Sequence, residues 1–166
     1  MDLVLTFMTE NVFMSPKKLF NTFATAEAVT WTLLISALVL RAINDVGMLV
    51  TVAGSIHGAV FLGYGATAAI VGVNQRWPLG KTIAAVALAI VPFATVPFER
   101  KLNKSDALVG HWRTTKSEDP RDSGWFDALF RFFIARPALL VFVLLGVLAA
   151  LFSFLLFLGP PTEWFD

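Results

Sequence analysis

Residues 47–74 contain no Asp, Glu, Lys or Arg, and no other feature of the chain constrains its fold as strongly. A helix needs about 20 apolar residues to cross a hydrocarbon core of about 30 Å. We predict a span at residues 49–73 within this stretch, and further apolar segments of spanning length cover residues 19–40, 79–98 and 137–158. With 57% hydrophobic and 15% charged residues, the whole chain departs from the composition of soluble domains. We therefore predict an all-α, polytopic transmembrane protein with four membrane-spanning helices.

The connections divide these four helices into a core and an appendage. After an N-terminal segment, residues 1–18, short turns join the first three apolar segments into an antiparallel three-helix core at residues 19–98. Pro92 and Pro97 predict a kink in the third helix. Residues 99–135 form a long polar connection, and residues 136–166 supply a tethered fourth transmembrane helix with its tail.

The polar connection contains a short amphipathic helix, predicted near residues 124–135 with Ser123 as its N-cap. Asp127 and Arg131 lie on one face of this helix, four residues apart. The opposite face carries Leu129 and the aromatic residues Trp125, Phe126, Phe130 and Phe133. This pattern favours a helix in the membrane interface, with Trp164 as a second interfacial anchor in the tail. Alternatively, these aromatic residues cover the polar ends of the protein's own helical bundle.

Glu27 interrupts an otherwise uncharged first helix, and a carboxylate in that position costs about 2.5–3.5 kcal/mol on insertion scales. His57 lies at a comparable depth in the second helix, so we expect an intramembrane pair between Glu27 and His57. A functional interpretation makes the pair a proton-sensitive or ligand-binding element. A structural interpretation makes it a buried interhelical hydrogen bond that fixes packing. We favour it because a proton path needs a chain of several ionisable groups, and only Thr22, Thr25, Thr30 and Tyr64 are available near the pair.

Small residues recur along the second and fourth helices at spacings that place them on one side. Such faces let another helix approach closely, either within the chain or from a partner protein. The predicted packing or partner face consists of Gly54, Gly58, Gly65, Ala69, Gly72, Gly146 and Ala150.

Several short motifs in the first hundred residues resemble a known family. In order along the chain they are Ser15-Pro16-Lys17-Lys18-Leu19-Phe20, Ala26-Glu27-Ala28, Trp31, Ile56-His57-Gly58, Phe61-Leu62, Tyr64, Asn74-Gln75-Arg76-Trp77-Pro78-Leu79-Gly80, Pro92-Phe93 and Phe98-Glu99-Arg100. This order is similar to the YdzA-like family of small bacterial integral membrane proteins, a domain of unknown function, over about residues 15–105. The resemblance implies a bacterial membrane protein and brings no reaction, substrate or cofactor.

Composition also limits the function. The chain has no cysteine and no motif for metal, haem or nucleotide binding, so we predict no metal, no cofactor and no enzymatic activity, and the net charge of +1 predicts no nucleic-acid partner. A membrane enzyme using Glu27 or Glu99 as a base is an alternative.

We expect a non-catalytic accessory subunit that contacts the lipid bilayer and other integral membrane subunits, with a respiratory-chain assembly as host by general analogy. A small proton-coupled carrier using Glu27 and His57, or a transient assembly factor, are alternatives.

The predicted location is the bacterial plasma membrane. Four crossings place both termini on the same side. The long connection carries more Lys and Arg than the segments on the other side, so the positive-inside rule favours both termini outside.

Overall fold

A computed structural model describes residues 14–44 and 47–158. Helix α1 is Pro16–Arg41, α2 is Gly47–Asn74, α3 is Leu79–Ala87, α4 is Thr95–Lys104, α5 is Trp125–Ile134 and α6 is Pro137–Leu158. Short 3-10 turns lie at Leu88–Ile90, Asp106–Leu108 and Pro120–Ser123. The described residues contain no strand, so the prediction of an all-α, polytopic membrane protein is confirmed.

The two long helices form the frame of the first part of the chain. Ser15 caps α1, where its side chain accepts a hydrogen bond from the backbone N–H of Lys18, and Pro16 occupies the first turn, where a missing N–H costs nothing. Arg76, with φ of 52°, reverses the chain after α2, and the Trp77 N–H bonds to the Gly72 carbonyl, as in a Schellman motif. Helices α1 and α2 are each long and apolar enough to cross a membrane.

The predicted third span, residues 79–98, is not one crossing helix. Regular helix ends at Ala87, and the chain turns sharply at residues 91–94. Val91 is extended, as expected of a residue before proline, and the Ala94 N–H closes the turn on the Val91 carbonyl at 3.1 Å. Pro92 therefore breaks the helix that we expected it only to kink.

Helix α4 then runs back along α1 towards the end where α3 begins. At the turn, Thr95 Oγ1 bonds to the Ala24 carbonyl, and near the end of α4 the amide groups of Asn103 and Asn21 bond to each other at 3.2–3.3 Å. We call residues 79–104 the helical hairpin. The segment Leu79–Ile90 is a shorter apolar helix, and at 1.5 Å per residue it reaches about 18 Å into a core of about 30 Å.

The segment after α4 covers the end of the bundle from which the hairpin starts. Trp77 Nε1 bonds to the Ala107 carbonyl at 2.9 Å, and Asn74 Nδ2 bonds to the His111 carbonyl at 3.1 Å. The hydrophobic core beneath includes Phe20, Ala24, Tyr64, Ala68, Val71, Ala85, Ala89, Leu102 and Leu108. This compact unit ends at Trp112.

Residues 113–166 form a second compact unit. Its helix α5 begins near the predicted position, but its N-cap is Gly124, which has no side chain to form a capping bond. The predicted N-cap, Ser123, is instead the last residue of the preceding 3-10 turn. Helix α6 has the predicted bounds. Together α5 and Pro137–Ala150 form a third spanning candidate, bent by 105°, so the described residues contain two or three candidate spans where four were predicted.

Candidate functional site in the membrane core

Glu27 lies on the buried face of α1. This face repeats at helical spacing through Phe20, Ala24, Glu27 and Thr30. Glu27 is eleven residues into the helix, or about 16 Å at 1.5 Å per residue, close to the middle of a bilayer core of about 30 Å. Its side chain is 0% exposed, and neither carboxyl oxygen has a hydrogen-bond partner among the described residues.

His57 is also buried and lies about 15 Å along α2, which begins at the opposite face. The predicted agreement in depth therefore holds, but the two side chains form no direct hydrogen bond with each other. Instead, His57 Nδ1 lies 3.1 Å from Thr30 Oγ1, and the Thr30 hydroxyl donates to the Glu27 backbone carbonyl at 3.1 Å. Since that hydroxyl has only one proton, His57 donates from Nδ1 while Thr30 bonds to the carbonyl.

Aromatic side chains enclose His57. The Trp31 ring centroid lies 4.4 Å from that of His57, and the Phe61 centroid lies 6.3 Å away on the same helix as His57. Trp31 Nε1 donates to the Ala89 carbonyl at 3.2 Å, at the point where α3 has given way to a 3-10 turn. The break in the hairpin thus provides a carbonyl group that an uninterrupted α-helix would have used itself.

Tyr64 completes the arrangement from α2. It is 0% exposed, its hydroxyl donates to the Ala85 carbonyl at 3.1 Å, and its side chain is close enough to Glu27 for an electrostatic interaction. We call the following set the polar cluster: Glu27, Thr30, Trp31, His57, Tyr64 and Thr95. Thr95 is the member that the sequence analysis missed, since only the reversal of the hairpin brings it to α1.

The predicted stripe of glycines faces in more than one direction. A Cβ atom added to Gly72 would lie 2.6 Å from Thr82 Oγ1, so this glycine permits close packing of α2 on α3. Gly54 and Gly65 border Leu34 and Val86 at ordinary contact distance. Gly58 and Gly146 have open space, and Ala69 and Ala150 lie in half-buried and exposed positions respectively.

The aromatic residues of α5 also divide between two faces. Trp125 and Phe126 are 79% and 50% exposed, and the exposed set includes Phe132, which the sequence analysis had not assigned to it. Phe130 and Phe133 are half-buried, and the Arg113 guanidinium lies 5.2 Å from the Phe130 ring. Trp164 lies outside the described residues.

A concave feature lies on the surface of the first unit, at the beginning of α1. This open depression has a volume of about 670 Å³ and is lined by Ser15, Lys17, Lys18, Asn21, Thr22, Thr25 and Ala26. Thr22 and Thr25, which the sequence places near Glu27, therefore face outward and not into the polar cluster. Among the described residues no group of three or more His, Asp or Glu side chains is arranged to hold a metal ion.

Residues 17–104 match the family described as Domain of unknown function (DUF3817), which covers more than half of the chain. The chain belongs to this family. The matched segment ends at the last residue of α4 and includes every member of the polar cluster. The predicted resemblance to a bacterial membrane family of unknown function over residues 15–105 is thereby confirmed.

A relative from Streptomyces coelicolor (strain ATCC BAA-471 / A3(2) / M145), named "Putative membrane protein SCO5905", is 37% identical over 82 residues. The aligned segment is 48% of this chain and 10% of the relative, so the chain corresponds to about a tenth of that protein's length. No solved structure gives a significant match. These findings support a membrane location.

Proposed function

We propose that the protein is a non-catalytic accessory subunit of a larger membrane assembly. One observation carries this proposal: the 82-residue segment that matches this chain makes up only a tenth of the Streptomyces coelicolor relative, which is named "Putative membrane protein SCO5905". In such a polypeptide, the other nine tenths of the chain are available to pack against the matched segment. By analogy, we propose that the matching helices of this protein pack against surfaces of other membrane proteins.

An exposed face of α2 suits such contacts. Thr51, Ser55 and Ala59 are small, exposed and spaced four residues apart, which permits close approach by another helix. The hydroxyl groups of Thr51 and Ser55 donate to backbone carbonyls of their own helix, so the face contains no unsatisfied hydroxyl donor. This face is distinct from the Gly72 side, which packs on α3.

Affinity purification after gentle solubilisation tests the accessory role. We expect one or more integral membrane proteins in stoichiometric amount, and a respiratory-chain assembly is our prediction for the host. Ser55→Phe should release the partner by blocking close approach, whereas Leu33→Phe, on an exposed position of α1, should retain it. Recovery of the wild-type chain alone and monomeric contradicts the proposal, and substoichiometric recovery favours a transient assembly factor.

The helical hairpin also changes the proposed orientation. Because α4 returns towards the beginning of α1, the end of the first unit where α1 begins carries seven basic residues: Lys17, Lys18, Arg76, Lys81, Arg100, Lys101 and Lys104. The opposite end carries Arg41 and no other Lys or Arg between residues 41 and 47. We call the first of these ends the cationic end. By the positive-inside rule we propose that it faces the cytoplasm, opposite to the orientation expected from a complete third crossing.

A further inference from the structure

Glu27 differs from every other member of the polar cluster because its side chain has no hydrogen-bond partner within residues 14–44 and 47–158. Thr30 and His57 bond to each other, and Trp31, Tyr64 and Thr95 each donate to a backbone carbonyl. Leaving a buried acceptor unsatisfied costs about 1–3 kcal/mol, and more for a charged group. An aliphatic side chain of similar size would avoid this cost, so packing alone does not account for a carboxyl group at this position.

The surroundings of Glu27 contain few groups that could replace a missing partner. Helix α2 contributes Tyr64, whose proton is already directed at Ala85, and His57, which bonds to Thr30. On α4, the Glu99 carboxylate accepts a hydrogen bond from Asn103 nearer the cationic end. On α3, the ammonium group of Lys81 lies over the Trp77 ring, 4.7 Å from its centroid. None of these charged or titratable groups forms a hydrogen bond or an ion pair with Glu27.

The tip of the helical hairpin lies at about the depth of Glu27. The hairpin reaches about 18 Å from the cationic end, and Glu27 lies about 16 Å along α1 from the same end. At the tip, Phe93 adopts φ of 64°, a left-handed conformation that costs a non-glycine residue about 1–2 kcal/mol. Strained residues of this kind concentrate at sites that change conformation or bind ligands. Beyond the tip, α1 and α2 continue without the hairpin beside them.

We propose that Glu27 is a proton-binding site in the membrane interior, whose carboxylate takes up a proton from water and returns it to water. Uptake forms the O–H bond of a neutral carboxylic acid, which suits a buried position better than an unpaired carboxylate. Release leaves the carboxylate and requires transient access to water. The strained tip of the helical hairpin lies at about the same depth as Glu27, and movement of this tip would provide that access. This role does not depend on the accessory function proposed above.

Dicyclohexylcarbodiimide, an apolar reagent, tests this role on the unaltered protein in native membrane vesicles. It requires a protonated carboxylic acid: the acid proton moves to a carbodiimide nitrogen, the carboxyl oxygen bonds to the central carbon, and rearrangement gives a stable N-acylurea. We expect mass spectrometry to find the adduct on the peptide containing Glu27, with a yield that falls as the pH is raised. The absence of this adduct at every pH, or a yield that does not change with pH, would overturn the proposal.

Two variants assign the modified group. Glu27→Gln keeps the size of the side chain and should lose the adduct. Glu99→Gln removes a carboxyl group that already accepts a hydrogen bond from Asn103, and it should keep the adduct and its pH dependence. Loss of the adduct in Glu99→Gln but not in Glu27→Gln would contradict the assignment. The accessory role is tested by the partners recovered in affinity purification, and the proton-binding role of Glu27 is tested by adduct formation. Failure of one proposal therefore does not decide the other.

Discussion

Close packing of α2 on α3 depends on Gly72. A Cβ atom at this position would lie 2.6 Å from Thr82 Oγ1 and 2.8 Å from Thr82 Cγ2, distances that require the Thr82 side chain or its helix to move. We expect Gly72→Ala to destabilise the protein by about 1–3 kcal/mol, as is typical of overpacking. Thermal unfolding in mild detergent, followed by circular dichroism, measures the change.

Gly58→Ala, on the same helix, is the matched control, because no other side chain or backbone atom in the described part of the chain lies within 4 Å of the added Cβ atom. Alanine has the higher helix propensity by about 0.8–1.0 kcal/mol, so this variant should be neutral or slightly more stable. Equal destabilisation of both variants would show that the effect does not arise from contact with Thr82.

Burial of Glu27 and the comparable depth of His57 could be predicted from residue spacing, whereas their hydrogen bonds could not. Depth along a helix follows from counting residues at 1.5 Å each. The partner of a side chain depends also on how each helix is rotated about its axis, and the rotation found here turns His57 towards Thr30. Similarly, glycine spacing identified a small-residue face without showing that Gly72 packs internally while Gly58 stays open.

At the scale of elements, the helical hairpin is where sequence and structure differ most. Predicted spans at 19–40, 49–73 and 137–158 correspond closely to α1, α2 and α6, because uninterrupted apolar length is a strong signal for a single helix. Residues 79–98 are equally apolar, but hydropathy does not record the direction in which a chain continues after a break. Pro92 indicated the break, and the contact between Asn103 and Asn21 is what shows the reversal.

The reversal of the chain in the helical hairpin predicts that the end of α4 lies on the same side of the membrane as the beginning of α1. The natural chain has no cysteine, so single cysteines can be introduced without a background of labelling. We expect Asn44→Cys to react with a membrane-impermeant maleimide in intact cells, and Ser15→Cys to react only after permeabilisation. Lys104→Cys should behave like Ser15→Cys if the hairpin returns to the cationic end. Labelling of Lys104→Cys with Asn44→Cys would indicate a complete third crossing.

In the second unit, Asp122 connects the segment before α5 to the helix itself. Its carboxylate is 1% exposed and accepts hydrogen bonds from Arg113 Nη1 at 2.9 Å and from the Ser117 backbone and hydroxyl, while Arg131 Nη1 lies 3.5 Å away. Removal of one partner from a buried ion pair costs about 3–5 kcal/mol, since the remaining charges are left without compensation. We therefore expect Asp122→Asn to loosen residues 113–124.

Limited trypsin digestion measures this change, because Arg113, Lys116 and Arg121 provide cleavage sites in the affected segment. Cleavage of Asp122→Asn should be much faster than that of the wild-type protein. Asp119→Asn is the control: it weakens an ion pair with Arg121, which is 68% exposed, and such pairs contribute about 0–1 kcal/mol. Equally fast cleavage of both variants would exclude a special role for Asp122.

At the scale of the whole molecule, the chain consists of a family unit and a second unit joined at residues 112 and 113. The family match stops at residue 104, but the first compact unit continues to Trp112. Residues 105–112 contribute the 2% exposed Leu108 and carbonyl groups that accept hydrogen bonds from Trp77 and Asn74. The structural unit is therefore slightly longer than the segment that defines the family.

A pair of truncated chains tests this boundary. A chain of residues 1–112 retains α1 to α4 with their covering segment, so we expect it to insert into the membrane and to unfold near the temperature of the full-length protein. A chain of residues 1–104 lacks Leu108 and exposes the Trp77 and Asn74 side chains at the cationic end. Loss of one fully buried leucine alone costs about 1.5–3 kcal/mol, so the shorter chain should unfold at a clearly lower temperature. Equal unfolding temperatures for the two chains would show that residues 105–112 contribute nothing to the stability of the first unit, and aggregation of both would show that this unit requires residues 113–166 to fold.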